Sequence, residues 1–344
     1  MPTDAVTPPL LEIDGVSTVF PGRGIGQPPV VAVDNVSLEM PSSGASVFTL
    51  VGESGSGKTT LTRNLLGLTR PTSGAVRYQG KDITTMNRAE WQRYRREVQP
   101  VFQDPYATYN PFYRIDRVLE LPLRTFGLAN SATEAKRKIE EALYAVDLRP
   151  GDVLGRYPHQ LSGGERQRLM LARVYLIRPK VIIADEPLSM IDASLRTVFL
   201  NILLDFRDEQ GISCFHITHN LASAYYLGGD IAIMCRGRIV ERGDMDAVIV
   251  NPAHPYTRQL IDSVPSPDPE ARWETAGGAS RTLDTLDLEV REHACVYTSR
   301  CPKVMEICRQ TRPTFVPLGE TQKTACFLYG ETEHTQVAAR SRER

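Results

Sequence analysis

The order of apolar and polar positions predicts an antiparallel β segment followed by alternating strands and helices. Residues 10–20 and 30–40 each have the pattern of a strand, and the stretch GRGIGQPP between them has that of a loop. Further along, the apolar runs VIIAD (181–185) and ISCFHITH (212–219) flank a helix-like segment, residues 193–210. Strands that alternate with helices are typical of a parallel sheet. We therefore expect an α/β core that begins with an antiparallel β part.

The pattern becomes helical over residues of about 104–178. Residues 135–148 have amphipathic spacing, and Leu169, Ala172 and Leu176 fall on one face of a second helix-like segment. We expect these three side chains to serve packing only. This stretch predicts a helical subdomain inserted into the α/β core.

Residues 52–59, GESGSGKT, fit the pattern GxxxxGK[ST] and are called the phosphate loop below. The apolar run SVFTLVG leads into this loop, and TTLTRNLLGL overlaps its end and reads as an apolar-faced helix. In this order the glycines let backbone N–H groups converge on β- and γ-phosphates at the positive end of the helix. Lys58 is expected to add a point charge and Thr59 a magnesium ligand. The loop therefore predicts a nucleotide site.

Groups suited to hydrolysis follow three strand-like segments. Asp185 and Glu186 come directly after VIIA, where we expect Asp185 to orient Mg²⁺ and Glu186 to align and polarise the attacking water. Gln103, in VFQDP, is expected to contact the Mg²⁺ or the water from another strand end. His219 is expected to reach the γ-phosphate, because it ends the apolar run beyond Glu186, which favours it over His216.

A further string, LSGGERQR (161–168), is the signature of ATP-binding cassette (ABC) ATPases. More specific strings are VFQDPYATYNP (101–111), YPHQLSGGERQR (157–168) and NPAHPYTRQLIDSVPSPDP (251–269). On these residues the chain resembles an ABC ATPase subunit of the oligopeptide/dipeptide importer family, from residue 10 to about residue 327. The resemblance implies a P-loop NTPase ABC ATPase core with an antiparallel β subdomain, a helical subdomain and a small C-terminal cysteine-rich extension.

The domain organisation implied by the resemblance has three parts. Residues 1–263 would form the nucleotide-binding domain, with the helical subdomain at about 104–178. Residues 264–330 would form the C-terminal extension of the oligopeptide-importer type, with its four-cysteine site. Residues 331–344 are polar and are expected to be a disordered tail.

The resemblance also assigns roles around ATP and Mg²⁺. Phe20 would stack on adenine, and Asp192 would lie in a loop that crosses to a second subunit. The ATP-binding residues would be Phe20, Gly52, Glu53, Ser54, Gly55, Ser56, Gly57, Lys58, Thr59 and Thr60. The catalytic residues would be Glu186, His219, Lys58 and Gln103, and the Mg²⁺ ligands Thr59, Gln103 and Asp185. The signature residues, which would touch the γ-phosphate bound by the opposite subunit, are Ser162, Gly163, Gly164 and Glu165.

The chain departs from the family pattern at three places. Glu165 stands where the signature usually has Gln, and Asn220 replaces a frequent Asp after the histidine. The segment LSMID (188–192) differs from the usual TSALD but keeps Asp192. None of these changes removes a group that binds or hydrolyses ATP. The sequence therefore predicts a competent site with an altered surface toward a second subunit.

Four cysteines near the C-terminus have the spacing C-x5-C-x6-C-x17-C: Cys295, Cys301, Cys308 and Cys326. Because disulfides are disfavoured in a cytoplasmic protein, four clustered thiols indicate a metal site. The paired C-x2-C knuckles of zinc ribbons are absent from this spacing. The resemblance implies a 4Fe-4S cluster, which four thiolates suit, with zinc or unligated thiols as the alternatives. Cys214 and Cys235 lie singly in apolar segments and are expected to be core residues.

Charge and length limit the function classes. The 344 residues include 40 basic and 41 acidic side chains, so no overall field favours nucleic acid or an anionic membrane. The start MPTDAVTPPL lacks a signal-peptide pattern, and no run approaches the roughly 18 apolar residues of a membrane span. We expect a protein at the cytoplasmic face of the inner or plasma membrane, bound peripherally.

The expected function is ATP hydrolysis that energises import of peptides, with oligosaccharides or metal chelates as alternative cargo. The expected partners are a second and different ABC ATPase subunit, two permease subunits and, through them, an extracytoplasmic solute-binding protein. A DNA-repair or chromosome ATPase is the alternative class, but such proteins usually carry a long insertion between phosphate loop and signature. A non-enzymatic regulatory subunit is a further alternative. The presence of the groups needed for hydrolysis argues against it: Lys58, Asp185, Glu186 and His219. An exporter commonly has fused membrane helices, and this sequence shows no apolar run of that length, so an exporter is not favoured. No nucleic-acid partner is expected.

Overall fold

The computed structural model describes residues 7–22, 24, 27–104, 109–189, 191–264 and 293–330. The first of its two sheets is antiparallel, with the strand order β2-β1-β4-β5. Its strands are β1 Leu11–Phe20, β2 Val30–Met40, β4 Ser73–Tyr78 and β5 Lys81–Asp82. Strand β1 lies in the middle, and its register places Phe20 opposite Val30. The antiparallel β start expected from the sequence is confirmed.

The second sheet has the order β11-β12-β10-β9-β3-β8-β7-β6. Neighbouring strands are parallel from β6 through β7, β8 and β3 to β9, and antiparallel beyond β9. The strands are β3 Val47–Val51, β6 Val98–Val101, β7 Val181–Asp185, β8 Ser213–Thr218, β9 Asp230–Cys235, β10 Arg238–Asp244, β11 Val316–Pro317 and β12 Lys323–Thr324. Because β3, β6, β7 and β8 are parallel, their carboxyl ends meet at one edge, where ligands of α/β sheets bind.

Helices cover the sheets and fill the middle of the chain. They are α1 Lys58–Leu65, α2 Arg88–Glu97, α3 Asp116–Thr125, α4 Ala132–Tyr144, α5 Pro150–Val153, α6 Gly163–Ile177, α7 Ala193–Gln210, α8 Leu221–Leu227, α9 Met245–Val250, α10 Pro255–Asp262 and α11 Glu306–Gln310. Among these described helices, none combines the length and the apolar composition that a bilayer crossing requires.

The helical stretch begins later than the sequence pattern indicates. Residues 105–108 lie outside the described ranges, and residues 109–115 form turns ahead of α3. In these turns the side chain of Asn110 accepts a hydrogen bond from the backbone N–H of Phe112, at 3.0 Å. Asparagine bonded to the backbone two residues on, with Pro111 between, favours a turn over a helix. The expected packing role of Leu169 and Ala172 agrees with their full burial.

Three buried clusters form the core. One joins α3, α4 and α6 to the parallel sheet, and a second fills the space between the two sheets. The third packs Val51 and Ile233 of the parallel strands with Tyr256 and Tyr297. Tyr297 belongs to the C-terminal range 293–330, so this range shares a core with the strand that leads into the phosphate loop.

The C-terminal range also joins the main sheet. Strand β12 pairs with β10, with Thr324 opposite Glu241. Glu241 is fully buried, and its carboxylate accepts hydrogen bonds from the backbone N–H groups of Ala253 and His254 and from Nε2 of Gln322, at 2.7–2.9 Å. A buried carboxylate is tolerated only when such donors surround it. The expected tail, residues 331–344, and residues 265–292 lie outside the described ranges.

Candidate functional site

The phosphate loop turns sharply between β3 and α1. Gly55 and Gly57 have positive φ angles of 79° and 106°, a region that favours glycine. A Cβ on Gly57 would lie 2.1 Å from the carbonyl oxygen of Ala32, in β2. The glycines therefore let the loop wrap closely against the antiparallel sheet while α1 starts at Lys58.

Lys58 folds back onto its own loop. Its Nζ donates hydrogen bonds to the carbonyl oxygens of Gly52, at 2.7 Å, and Glu53, at 2.9 Å, and lies 3.8 Å from Oε1 of Glu186. The side chain is buried, and burial lowers the pKa of Lys58, while the carboxylates of Glu186, Asp185 and Glu53 act to raise it. The ammonium group is thus held at the centre of the loop, where an incoming polyphosphate would meet it.

Asp185 ends β7 beside the phosphate loop and is buried. Burial, with a smaller contribution from the neighbouring Glu186, raises the pKa of Asp185 to about 6, although Lys58 and the hydroxyls of Thr59 and Thr62 act to lower it. Within the described residues, its Oδ1 is buried without a hydrogen-bond partner. Mg²⁺ takes oxygen ligands of this kind. The orphaned oxygen of Asp185, next to the hydroxyl of Thr59, therefore fits this cation.

Glu186 and His219 form a pair at the same edge. His219 Nδ1 lies 2.7 Å from Glu186 Oε2, in a contact that requires a proton on Nδ1. Glu186 has a positive φ of 48°, and its backbone N–H donates to the carbonyl oxygen of Ile217 in β8, at 2.9 Å. The glutamate side chain is nearly buried, whereas His219 is 61% exposed. His219 therefore orients the carboxylate and remains open to a ligand.

His216, the other histidine near this edge, is in a different environment. It lies within β8, is fully buried, and burial lowers its pKa to about 4. A neutral imidazole in the core is suited to packing and cannot approach a bound nucleotide.

Gln103 and Phe20 lie around the same edge. Gln103 follows β6 and is exposed, and its carbonyl oxygen accepts a hydrogen bond from Nε2 of Gln167, at 3.2 Å. Strand β6 runs beside β7, with Val101 opposite Ala184, so Gln103 stands at the edge that carries Asp185. Phe20 ends β1 and is 39% exposed. In the loop itself, Ser54 and Gly55 are exposed, Thr60 is half-buried, and Ser56 is buried with its hydroxyl unpartnered among described residues.

The signature residues lie on α6. Ser162 caps this helix by accepting from the backbone N–H of Glu165, and the Glu165 carboxylate accepts from both the N–H and the hydroxyl of Ser162, at 2.7 and 2.8 Å. Gly163 begins the helix; Gly164 is buried, and a Cβ there would lie 2.7 Å from Leu195. Among the described residues, no hydrogen bond or ion pair of residues 162–165 reaches the phosphate loop. Asp192 is exposed and precedes α7, and Met190 lies outside the described residues.

Two residues near the phosphate loop were missed by sequence reasoning. The backbone N–H of Glu53 donates to the hydroxyl oxygen of Tyr256, at 3.0 Å. The carboxylate of Glu53 accepts two hydrogen bonds from Arg300, at 2.7 and 2.8 Å. Tyr256 lies in the string NPAHPYT and Arg300 directly precedes Cys301. These neighbours were the available signal, but neither indicates a contact with residue 53.

The four C-terminal cysteines line a single small cavity, together with His254, Met305 and Phe327. All four are free thiols. Burial raises the pKa of Cys326 to about 11, and the three other thiols act in the same direction. Within the described residues, no three His, Cys, Asp or Glu side chains converge closely enough to hold a single metal ion. The thiols share one space without the close geometry of a zinc site.

Comparison with known proteins gives the family. Residues 33–189 match the ABC transporter family, and residues 240–308 match the family described as the oligopeptide/dipeptide transporter C-terminal region. The oligopeptide transport ATP-binding protein OppF of Escherichia coli is 37% identical over 269 residues, 77% of this chain and 78% of OppF. A putative peptide import ATP-binding protein of Brucella ovis is 37% identical over 284 residues, 82% of this chain and 87% of that protein.

Solved structures agree on the fold. The dimeric ATP-binding cassette MJ0796, in a post-hydrolysis state with ADP and phosphate, has a TM-score of 0.60 at 24% identity and covers 68% of this chain and 98% of its own. The protein cbiO1 of Clostridium perfringens has a TM-score of 0.59 at 22% identity and covers 71% of this chain and 91% of its own. With these folds and with OppF-type relatives that match most of its length, the chain belongs to the ABC transporter ATPases, in their oligopeptide/dipeptide transporter family.

Proposed function

We propose that this chain is the ATP-hydrolysing subunit of an importer that takes up peptides, or related solutes, through partner permeases. The observation that carries the proposal is the single edge where Lys58 lies 3.8 Å from Glu186 and His219 lies 2.7 Å from it. A phosphate-binding ammonium and an oriented carboxylate there are what phosphoryl transfer to water needs.

In this proposal the phosphate loop and Lys58 hold the β- and γ-phosphates, and Phe20 stacks on adenine. Thr59, Gln103 and Asp185 would hold Mg²⁺, which supplies charge neutralisation at the phosphates when bound. Glu186 aligns the attacking water and polarises it, and His219 fixes the carboxylate and faces the γ-phosphate. These groups position and stabilise charge, so no covalent intermediate on the protein is required.

We propose that the signature residues act on the nucleotide of a second subunit. Residues 162–165 start α6, whose positive end suits a phosphate, and their described hydrogen bonds stay within that helix start. Two subunits arranged head to tail would place each signature against the other's phosphate loop. Asp192, exposed ahead of α7, would lie in the loop that crosses between them. The partner is proposed to be a different ABC ATPase.

The proposed permease contact lies beside Gln103. A cavity of about 440 Å³, largely apolar, opens between α3, α6 and the end of β6, and its lining includes Phe102, Tyr109 and Leu121. Leu121 is 52% exposed. Because Phe102 is adjacent to Gln103, a permease helix seated there would be linked to the edge that holds the nucleotide. Two permeases would bring the chain to the cytoplasmic membrane face and connect it to a solute-binding protein.

The proposed domains follow the same division: a nucleotide-binding domain of residues 1–263, containing a helical subdomain at about 104–178, and a C-terminal extension of residues 264–330. The competing DNA-repair or chromosome class is less favoured. Between phosphate loop and signature, the longest helix that the structure describes is Ala132–Tyr144, too short for a coiled-coil arm.

The test is reconstitution with candidate permease subunits. We expect the chain to copurify with them, and ATP hydrolysis to rise when the solute-binding protein carries a peptide. If an oligosaccharide or a metal chelate stimulated hydrolysis and peptides did not, that solute would replace peptides as the proposed cargo. Copurification of nucleic acid without any permease would overturn the proposal that this chain belongs to an importer.

We also propose a 4Fe-4S cluster at Cys295, Cys301, Cys308 and Cys326. Support comes from the cavity that the four cysteines share, since four thiolates are the ligands that such a cluster takes. Where such a cluster is bound, its positive irons would favour the thiolate form that burial disfavours.

Anaerobic purification tests this proposal. We expect iron and acid-labile sulfide in equal amounts with broad visible absorption, lost in Cys308→Ala and retained in Cys214→Ala. Cys214 is the matched control because it is a buried thiol in β8, away from the cavity. Stoichiometric zinc without sulfide, or no metal at all, would refute the cluster.

A further inference from the structure

Glu53 is the phosphate-loop residue with the strongest ties to the C-terminal half of the chain. Its carbonyl oxygen accepts from Lys58, its backbone N–H donates to the Tyr256 hydroxyl, and its carboxylate is bonded by Arg300. Tyr256 is almost fully buried in α10. Backbone and side chain of one loop residue are therefore fixed from outside the strand–loop–helix unit that contains it.

Arg300 is itself held in place by the range that carries the cysteines. Its backbone N–H donates to the carbonyl oxygen of Tyr297, at 3.1 Å, and its guanidinium lies 5.9 Å from the Tyr297 ring centre. Tyr297 is buried, packs against the Tyr256 ring at 5.3 Å, and donates its hydroxyl to Gln259. This aromatic contact fixes the turn that points Arg300 at the phosphate loop.

The contact between Arg300 and Glu53 affects the charge that the phosphate loop presents to a ligand. A carboxylate in a loop that receives a polyphosphate repels it, and a bidentate arginine neutralises that charge while fixing its geometry. Hydrogen bonding to Glu53 raises the pKa of Arg300, so the guanidinium stays charged throughout the physiological range. Both side chains are partly exposed, at 36% for Arg300 and 40% for Glu53, so salt will screen the pair.

We propose that Arg300 is a positioning residue for ATP binding, which acts through Glu53 by neutralising its carboxylate and holding the phosphate loop in shape. The proposal rests on the proposed role of that loop in holding the triphosphate. It assigns the C-terminal range 293–330 a direct part in nucleotide affinity.

The test is the dissociation constant of MgATP for the full-length chain, with KM and kcat, in a set of variants. We expect Arg300→Ala to raise the dissociation constant and KM about two- to fivefold, with kcat unchanged at saturation. Arg300→Lys keeps the charge but loses the bidentate geometry, so its dissociation constant is expected to lie between those of the unaltered chain and Arg300→Ala. The double variant Arg300→Ala with Glu53→Gln is expected to recover most of the lost affinity, because the repelling charge is gone.

Arg309→Ala is the matched control, since Arg309 is an exposed arginine of the same range, on α11. The effect of Arg300→Ala should fade at about 1 M salt, where the Debye length is only about 3 Å. A loss that persists in the double variant, or equal affinity of Arg300→Ala and Arg309→Ala, would overturn the inference. Failure of the unaltered chain to bind MgATP would instead overturn the proposed function.

Discussion

Glu186→Gln is expected to bind MgATP as the unaltered chain does and to hydrolyse it about 10²- to 10⁴-fold more slowly. The amide keeps the size of the carboxylate but cannot accept a proton from the attacking water. Its position is not expected to change, because the backbone N–H of Glu186 remains bonded to Ile217 in β8. The measurements are equilibrium binding of MgATP and single-turnover release of phosphate by the assembled transporter.

The matched control for this variant is Glu209→Gln, on the exposed end of α7. It makes the same chemical change at an exposed position that is not part of the site, and it should leave turnover unaltered. If Glu186→Gln hydrolysed ATP at the normal rate in an otherwise intact transporter, Glu186 would not be the principal catalytic residue. His219→Ala should then be compared, since His219 holds the carboxylate through its 2.7 Å contact.

Lys58→Ala is expected to weaken MgATP binding about ten- to a hundredfold. A charged hydrogen bond contributes roughly 1.5–3 kcal/mol, and each 1.4 kcal/mol is tenfold in affinity. Lys58 also donates to the carbonyl oxygens of Gly52 and Glu53, so its removal loosens the loop as well as removing a charge. Isothermal titration with MgATP measures the effect directly.

Lys136→Ala, at an exposed position of α4, is the control for loss of a lysine. Burial lowers the pKa of Lys58, which means that folding does not gain from its charge. The variant should therefore fold, and circular dichroism can verify this. Normal MgATP affinity in a folded Lys58→Ala chain would contradict the proposed role of the lysine.

The two variants separate binding from chemistry. Lys58 contacts the loop that would hold the phosphates, whereas Glu186 lies where the water would attack. A loss of affinity without Lys58 and a loss of turnover without the Glu186 carboxylate are different readouts of one edge of the sheet.

The parts of the site that sequence could predict are those encoded within a few residues. The phosphate loop needs a strand, glycines and a helix in immediate succession, and Asp185 and Glu186 need only the end of an apolar strand. For the histidines, strand position alone favoured His219, and burial of His216 gives the physical basis for that choice. Because such patterns are local, they can be recognised in the sequence before the fold is known.

The contacts on Glu53 could not be predicted. Tyr256 and Arg300 lie 203 and 247 residues from it, and no periodicity links such distant positions. The positive φ of Glu186 is similarly invisible in the sequence, because Glu is rarely selected for that backbone conformation. The turn at Asn110, which precedes α3, was not predicted either, because the pattern of the stretch as a whole is helical.

The pairing of β12 with β10 also bears on where this protein can be cut. A chain that stopped at residue 263 would leave β10 as a bare edge, with backbone groups open to strand exchange between molecules. It would also take Gln322 away from the buried carboxylate of Glu241. A fragment of this ATPase that keeps both contacts must therefore include the chain as far as Thr324.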